Sequence, residues 1–66
     1  MENKVVKAKD LAVDDVTIIY GCKWIVYCIK KLGNGDVQVQ VDYVYNRDYK
    51  MQRVYSPNAD VKVFRN

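Results

Sequence analysis

Short runs of β-branched and aromatic residues follow one another along the chain and are separated by turn-forming residues. Such runs are typical of β-strands, because branched and aromatic side chains pack well on a pleated surface. The first two runs are separated by Gly21, which breaks the pattern. The pattern therefore predicts five strands, Val16–Tyr20, Lys23–Leu32, Val37–Tyr45, Lys50–Tyr55 and Val61–Phe64.

The third run has the clearest alternation of apolar and polar residues. Alternate side chains of a strand point to opposite faces, so this run predicts a half-buried strand. Its inward row is Val37, Val39 and Val41, continued by Tyr43 and Tyr45. Its outward row is Gln38, Gln40 and Asp42, which we interpret as a face that meets water.

The second run is apolar on both faces of an extended chain, which suggests a central strand or one that bends between two sheets. A helix is the alternative, but the run is short, rich in β-branched and aromatic residues, and flanked by glycines. Trp24, Val26 and Cys28 share one predicted face. We expect Trp24 to belong to the core, because a small domain needs large buried side chains.

Turn residues separate the predicted strands. The strongest signal is Gly33–Asp36, in which Asn34-Gly35 favours a tight hairpin because both residues tolerate positive φ. A second turn is predicted at 46–49. Ser56–Asp60 predicts one helical turn before the last strand, since Ser56 can cap it and Pro57 suits its first position.

This order of elements predicts an all-β fold, a small five-stranded antiparallel barrel or half-open sandwich. Residues 1–66 form a single domain in this interpretation, and residues 1–6 form a flexible or loosely held N-terminus. The alternative is an antiparallel sheet that completes its core by forming a homodimer, because a chain of 66 residues buries only a thin core.

Charge and cysteine content indicate which partners and which cellular compartment suit this chain. Eleven basic and eight acidic residues give a net charge of +3, which permits contact with nucleic acid without requiring it. Cys22 and Cys28 lie roughly 20 Å apart on one extended strand, too far for a disulfide between them. We interpret both as small apolar fillers. Unpaired thiols without an export signal or a membrane-spanning run indicate the cytoplasm of a bacterial or infected host cell.

The order of elements resembles the Src-homology-3-like small β-barrel, the superfamily that includes Tudor and KOW-type modules. The long first loop at 7–15, the distal-type hairpin at 33–36 and the helical turn at 56–60 carry this resemblance. The first loop has no aromatic residue, and the single tryptophan lies inside a strand, so the proline-rich peptide binding of the family is not expected. In size and composition the chain resembles a small phage or mobile-element accessory protein.

Catalysis is not expected. The sequence has no histidine to act as a general base, and Ser56 has no partner in its turn. No metal site is expected either, because two cysteines without histidine do not make a structural zinc centre. No cofactor is implied.

Residues 43–55 contain an unusually high share of tyrosines and basic residues. Tyrosine and arginine anchor protein interfaces, and they also stack on bases and contact phosphates. The fourth strand is the least hydrophobic, which suits an edge or a functional surface. The predicted partner-binding residues are Tyr45, Arg47, Tyr49, Lys50, Arg53 and Tyr55.

We therefore favour a non-enzymatic module that binds a protein partner, which in a phage setting means modulating a host protein. Nucleic-acid binding by the same strand-turn-strand region is the first alternative. A structural or self-assembling protein is the second. No membrane contact is expected.

Overall fold

The computed structural model describes residues 2–65, and it confirms the all-β class. Six strands form one antiparallel sheet in the spatial order β1-β6-β2-β3-β4-β5. The strands are β1 (Glu2–Lys7), β2 (Val16–Ile19), β3 (Cys22–Lys31), β4 (Val37–Tyr43), β5 (Asn46–Tyr55) and β6 (Asp60–Arg65).

The core lies on one face of this sheet, which we call the inner face. Val37, Val39 and Val41 of β4 are almost completely buried there, as their alternation predicts. Val26 of β3 and Val63 of β6 join them. The sheet curls strongly, because Arg53 of β5 reaches Tyr20 at the end of β2, although two strands, β3 and β4, lie between them in the sheet order. Within residues 2–65 β5 pairs only with β4, so the sheet is a half-open sandwich rather than a closed barrel.

The N-terminal segment corrects the sequence prediction. Residues 2–7 are not loosely held but form β1, which pairs with β6 over its whole length, from Glu2↔Arg65 to Lys7↔Asp60. An ion pair between Lys7 Nζ and Asp60 Oδ1, 2.7 Å apart, lies at the end of this ladder. The prediction missed the strand because most of its side chains are exposed, so the segment carries little apolar patterning.

A β-bulge in β3 changes which residues face the core. Val26 pairs with Val41 and Cys28 with Gln40, so Tyr27 is an extra residue without a partner in β4. An extra residue reverses the alternation beyond it. Ile29 therefore packs against the core, whereas Cys28 is exposed and is not the buried filler that strict alternation predicts.

The hairpin between β3 and β4 lies where it was predicted, but its geometry is different. Gly35 N–H donates to the Leu32 carbonyl at 3.0 Å, and Leu32 N–H donates to the Asp36 carbonyl at 2.8 Å. Gly35 has φ +91°, whereas Asn34 is not in the positive-φ region. The loop is thus a three-residue connection, Gly33–Gly35, whose last residue is a left-handed glycine, and not a two-residue turn with two positive φ angles.

The connection between β5 and β6 is also simpler than predicted. Ala59 N–H donates to the Ser56 carbonyl at 3.0 Å, which closes a single β-turn rather than a turn of helix. The helical turn of the described chain is a short 3-10 segment, Ala8–Asp10, in the loop after β1. Its Ala8 is buried in the core, and the Ala8 N–H donates to the Ala59 carbonyl, which ties the two connections together.

Candidate functional site

The hairpin between β4 and β5 carries four of the six predicted contact residues. Its turn is Val44-Tyr45, not 46–49, because Tyr43 pairs directly with Asn46. The next pair is Asp42↔Lys50, so β5 advances by four residues while β4 advances by one. The three residues between, 47–49, form a wide bulge at the sheet edge. We call Tyr45, Arg47, Tyr49 and Lys50 the bulge surface.

Asp42 organises this bulge. Its Oδ2 accepts a hydrogen bond from Arg47 Nε at 3.0 Å, and its Oδ1 accepts one from Lys50 Nζ at 2.9 Å. Lys50 Nζ also donates to the Arg47 carbonyl at 3.3 Å. Asp42 was predicted to lie on a face that meets water, but it is only 5% exposed. A buried carboxylate needs charged partners, and the two basic side chains supply them.

The same contacts fix the charge states of Asp42 and Lys50. The hydrogen bond from Lys50, followed by that from Arg47, lowers the pKa of the Asp42 carboxyl, although desolvation opposes this. The bond to Asp42 in turn raises the pKa of the Lys50 ammonium. These two side chains are therefore charged at neutral pH. The carboxylate is covered, whereas the two cationic side chains remain more than half exposed.

Aromatic rings surround Tyr43 at the same end of the sheet. The Tyr43 ring lies 5.3 Å from Trp24, 5.6 Å from Tyr45 and 6.4 Å from Tyr49, measured between centroids. Trp24 is half-buried against the core, as predicted, and its Nε1–H donates to the Ile19 carbonyl at 3.3 Å. Tyr45 and Tyr49 are 73% and 62% exposed. The half-buried pair of Trp24 and Tyr43 therefore supports two rings that face solvent.

The outer surface of β3, β4 and β5 continues from the bulge surface through Lys50. Cross-strand pairing places Lys30 beside Gln38 and Gln40 beside Gln52, and Gln38 Nε2 donates to Gln52 Oε1 at 3.2 Å. We call Lys30, Gln38, Gln40, Lys50 and Gln52 the polar sheet face. A shallow depression of about 210 Å³ opens there beside Tyr27, and Lys50 Nζ lies 4.9 Å from the Tyr27 ring centroid.

Arg53 and Tyr55 belong to a different surface. They share the inner side of β5 with Met51, as the alternation predicts, and lie opposite Val39 and Val37. Arg53 Nη1 donates to the Tyr20 hydroxyl at 3.3 Å, which raises the pKa of the guanidinium. The predicted set of six residues is thus divided between two surfaces.

Sequence reasoning missed two residues at these surfaces. Asp42 was recognised only as part of a polar row, because its place opposite Lys50 depends on the bulge and does not follow from the predicted turn at 46–49. Tyr20 was treated as the end of a strand. Its position before Gly21 and between two β-branched runs is a hairpin signal, and the structure shows a two-residue turn with φ +53° at Tyr20 and +75° at Gly21.

Residues 2–65 contain no cluster of three or more histidine, cysteine, aspartate or glutamate side chains able to hold a metal ion. No helix in this range is long and apolar enough to span a bilayer.

Comparison with known proteins identifies the fold but not a family. No protein-family model matches the sequence, and no curated protein sequence matches it. Among solved structures, eukaryotic translation initiation factor 5A from Methanococcus jannaschii superposes with a TM-score of 0.70 at 22% sequence identity. The match covers 92% of this chain and 49% of the other, so this chain spans about half the length of that protein. The likeness establishes a small antiparallel β fold shared with that factor.

Proposed function

We propose that this chain binds single-stranded RNA through the bulge surface and the polar sheet face. The observation that carries the proposal is the pairing of two solvent-facing tyrosine rings with a sheet surface whose carboxylate is buried and already neutralised. This replaces protein binding as the main hypothesis. The hypothesis of a binding module that is not an enzyme is unchanged.

The bulge surface suits unpaired bases. Tyr45 and Tyr49 are held by the half-buried Tyr43, so their rings are positioned before a ligand arrives. Stacking of a base on an aromatic side chain contributes about 1–3 kcal/mol and tolerates any base. Bases in a duplex are already stacked on each other, so such rings favour a single strand.

The polar sheet face suits the part of the RNA strand that extends beyond the bases on the bulge surface. Lys30 and Lys50 supply cationic heads for phosphates, and Arg47 adds a guanidinium beside them. The amides of Gln38, Gln40 and Gln52 are donors and acceptors that can pair with base edges. Asp42 does not repel phosphates strongly, because its charge is covered and offset by two cations.

The structural comparison supports RNA over a protein partner. The superposed protein is a translation initiation factor, and translation takes place on RNA. Protein binding by the same tyrosines and arginine remains a prediction, because these residue types also anchor protein interfaces. No observation on the described residues favours a phage origin, self-assembly or a homodimer.

A fluorescence anisotropy titration with a labelled oligouridine tests the proposal. The parent protein should bind the single strand and should bind a duplex of the same length more weakly. The double variant Tyr45→Ala/Tyr49→Ala should lose about tenfold or more in affinity, because it removes two stacking rings. Val44→Ala is the matched control, since it shortens an exposed side chain in the same turn without removing a ring.

A second pair of variants separates the contribution of charge to binding from the contribution of stacking. Lys30→Gln removes one cation from the polar sheet face, whereas Lys9→Gln removes one from the 3-10 segment elsewhere. Only the first should weaken binding and reduce its salt dependence. Equal effects of the two variants would show a nonspecific charge response and would contradict the proposed surface.

A further inference from the structure

A groove on the other side of the molecule carries an arginine that the structure leaves without an acidic partner. Of the three arginines, Arg47 pairs with Asp42 and Arg65 pairs with Asp15. Among residues 2–65 no carboxylate lies within ion-pair distance of Arg53. Its guanidinium is instead held by two rings, 5.5 Å from the Tyr20 centroid and 5.9 Å from the Tyr55 centroid.

The groove exists because β2 and β6 separate. Their ladder has only two pairs, Val16↔Phe64 and Thr17↔Val63, although both strands extend further. Beyond the last pair the Thr17 hydroxyl donates to the Lys62 carbonyl at 3.1 Å. The opening has a volume of about 260 Å³ and is lined by both strands together with Arg53 and Tyr55 of β5. We call it the seam groove.

The charge of the seam groove is positive. Arg53 and Lys62 both line it. Asp60 also lines it, but its Oδ1 lies 2.7 Å from Lys7 Nζ and is therefore already neutralised. A guanidinium presents five N–H donors, and here one of them donates to the Tyr20 hydroxyl. The others are donors for an anion, and phosphate, like carboxylate, is an anion that a planar guanidinium binds in a bidentate manner.

Tyr20 adds a second recognition element. Its ring covers Arg53 on one side, yet the residue is 83% exposed, so most of the side chain is open to solvent. It is also held at φ +53°, a left-handed conformation that a bulky side chain rarely adopts. Asparagine or glycine would suit this turn better. Tyr20 therefore keeps a strained conformation beside Arg53, which has no acidic partner among residues 2–65. This combination indicates that the Tyr20 ring takes part in binding a ligand.

We infer that the seam groove binds one nucleotide unit, with its phosphate on Arg53 and its base stacked on Tyr20. The groove is smaller than the ~300–1,000 Å³ typical of pockets for larger ligands, which fits a phosphate and leaves the base on the exposed ring outside. The unit is either a free mononucleotide or one nucleotide of a strand. This site is separate from the bulge surface, so it does not depend on the function proposed above.

Titration of the full chain, observed by heteronuclear NMR, tests the inference. Uridine monophosphate and a short oligouridine serve as the two probes. Saturable shifts should appear at Thr17, Tyr20, Arg53 and Lys62 with at least one probe. Shifts with the mononucleotide assign the groove to a free nucleotide, and shifts with the oligonucleotide alone assign it to a nucleotide within a strand.

Two variants make the test independent of folding. Arg53→Gln should weaken binding in the groove by about tenfold or more, because it removes the phosphate donor. Tyr20→Asn removes the ring but suits the turn, so it should keep the fold and still weaken binding. Lys9→Gln, in the 3-10 segment away from both surfaces, is the control and should leave the shifts in the groove unchanged. Absence of saturable shifts in the groove with both probes, or unchanged affinity in both groove variants, would overturn the inference.

Discussion

Arg65, near the end of β6, holds Asp15 in the loop before β2 through two hydrogen bonds. Arg65 Nε lies 2.6 Å from Asp15 Oδ1, and Nη2 lies 2.8 Å from Oδ2. The carboxylate also accepts the Ala12 N–H at 2.9 Å and is almost completely buried. This pair joins residues 50 positions apart, so it fixes the long first loop against the last strand.

The pair predicts a loss of stability in acid. Burial raises the pKa of the Asp15 carboxyl, but the bonds from Arg65 and from the Ala12 amide lower it by more, so the net pKa lies below the ordinary 3.8. A depressed pKa stabilises the folded state above the ordinary value, and this contribution is lost as the pH falls towards the folded pKa. Asp15→Asn should therefore be clearly less stable than the parent at neutral pH, and the difference should shrink below about pH 3.8.

Urea unfolding at neutral pH and at about pH 3 measures this difference. Asp48→Asn is the control, because Asp48 is exposed in the bulge and lies in none of the ion pairs found among residues 2–65. That control should change stability little at either pH. A constant difference between Asp15→Asn and the parent at both pH values would rule out the ion pair as its cause.

Replacement of Gly35 should destabilise the hairpin between β3 and β4. Gly35 has φ +91°, and no neighbouring atom lies within 4 Å of the position a Cβ would take. The cost of Gly35→Val is therefore conformational, at least about 1–2 kcal/mol for a side chain in the left-handed region. For a domain of this size that lowers Tm by roughly 4–8 °C per kcal/mol.

The matched control for this prediction is Gly33→Val in the same loop. Gly33 also has open space around it, but its φ is not in the positive region. Thermal melts of the two variants should differ, with a smaller change for the Gly33 variant. An unchanged Tm for Gly35→Val would refute the left-handed turn.

The strained turn at Tyr20 predicts opposite effects of two substitutions. Asparagine tolerates the left-handed conformation, which costs other residues about 1–2 kcal/mol. The contact between Arg53 and an exposed ring contributes only about 0.5–1 kcal/mol. Tyr20→Asn should therefore keep or raise the free energy of unfolding, whereas Tyr20→Ala loses the ring without relieving the strain and should lower it. Denaturant titration of both variants checks the order, and an asparagine variant less stable than the alanine variant would contradict it.

The two thiols should react at different rates. Cys28 is exposed beyond the β3 bulge, whereas Cys22 is half-buried, and the structure shows both as free cysteines. A thiol-labelling reagent without reductant should modify Cys28 first in the native protein and both cysteines after denaturation. The Cys28→Ser variant should lose the fast phase. Failure of both thiols to react after denaturation would indicate a disulfide and contradict this assignment.

Local patterns predicted the parts of the fold that follow simple alternation. The valine row of β4 and the glycine turn after β3 are examples, because burial and positive φ restrict the residue types at those positions. Bulges are harder to predict, since one inserted residue reverses the facing of all that follow. Strict alternation therefore placed Cys28 inside, although Tyr27 is the inserted residue.

The candidate site was predicted in composition but not in arrangement. The tyrosines and basic residues of 45–55 were recognised, yet their division between two surfaces depends on the three-residue bulge opposite Asp42. Tyr20 lies 33 positions from Arg53, and only the curl of the sheet brings them together. Long-range contacts of this kind leave no trace in local spacing.

The salt dependence of oligouridine binding shows whether the polar sheet face contacts RNA phosphates. Contacts with phosphates release counterions, so the logarithm of the affinity should fall linearly as the logarithm of the salt concentration rises. We predict saturable anisotropy at low salt, a linear decrease on raising the salt, and a smaller slope for Lys30→Gln than for the parent. If the folded parent protein shows no saturable binding to the oligonucleotide at low salt, this chain does not bind RNA through the bulge surface and the polar sheet face.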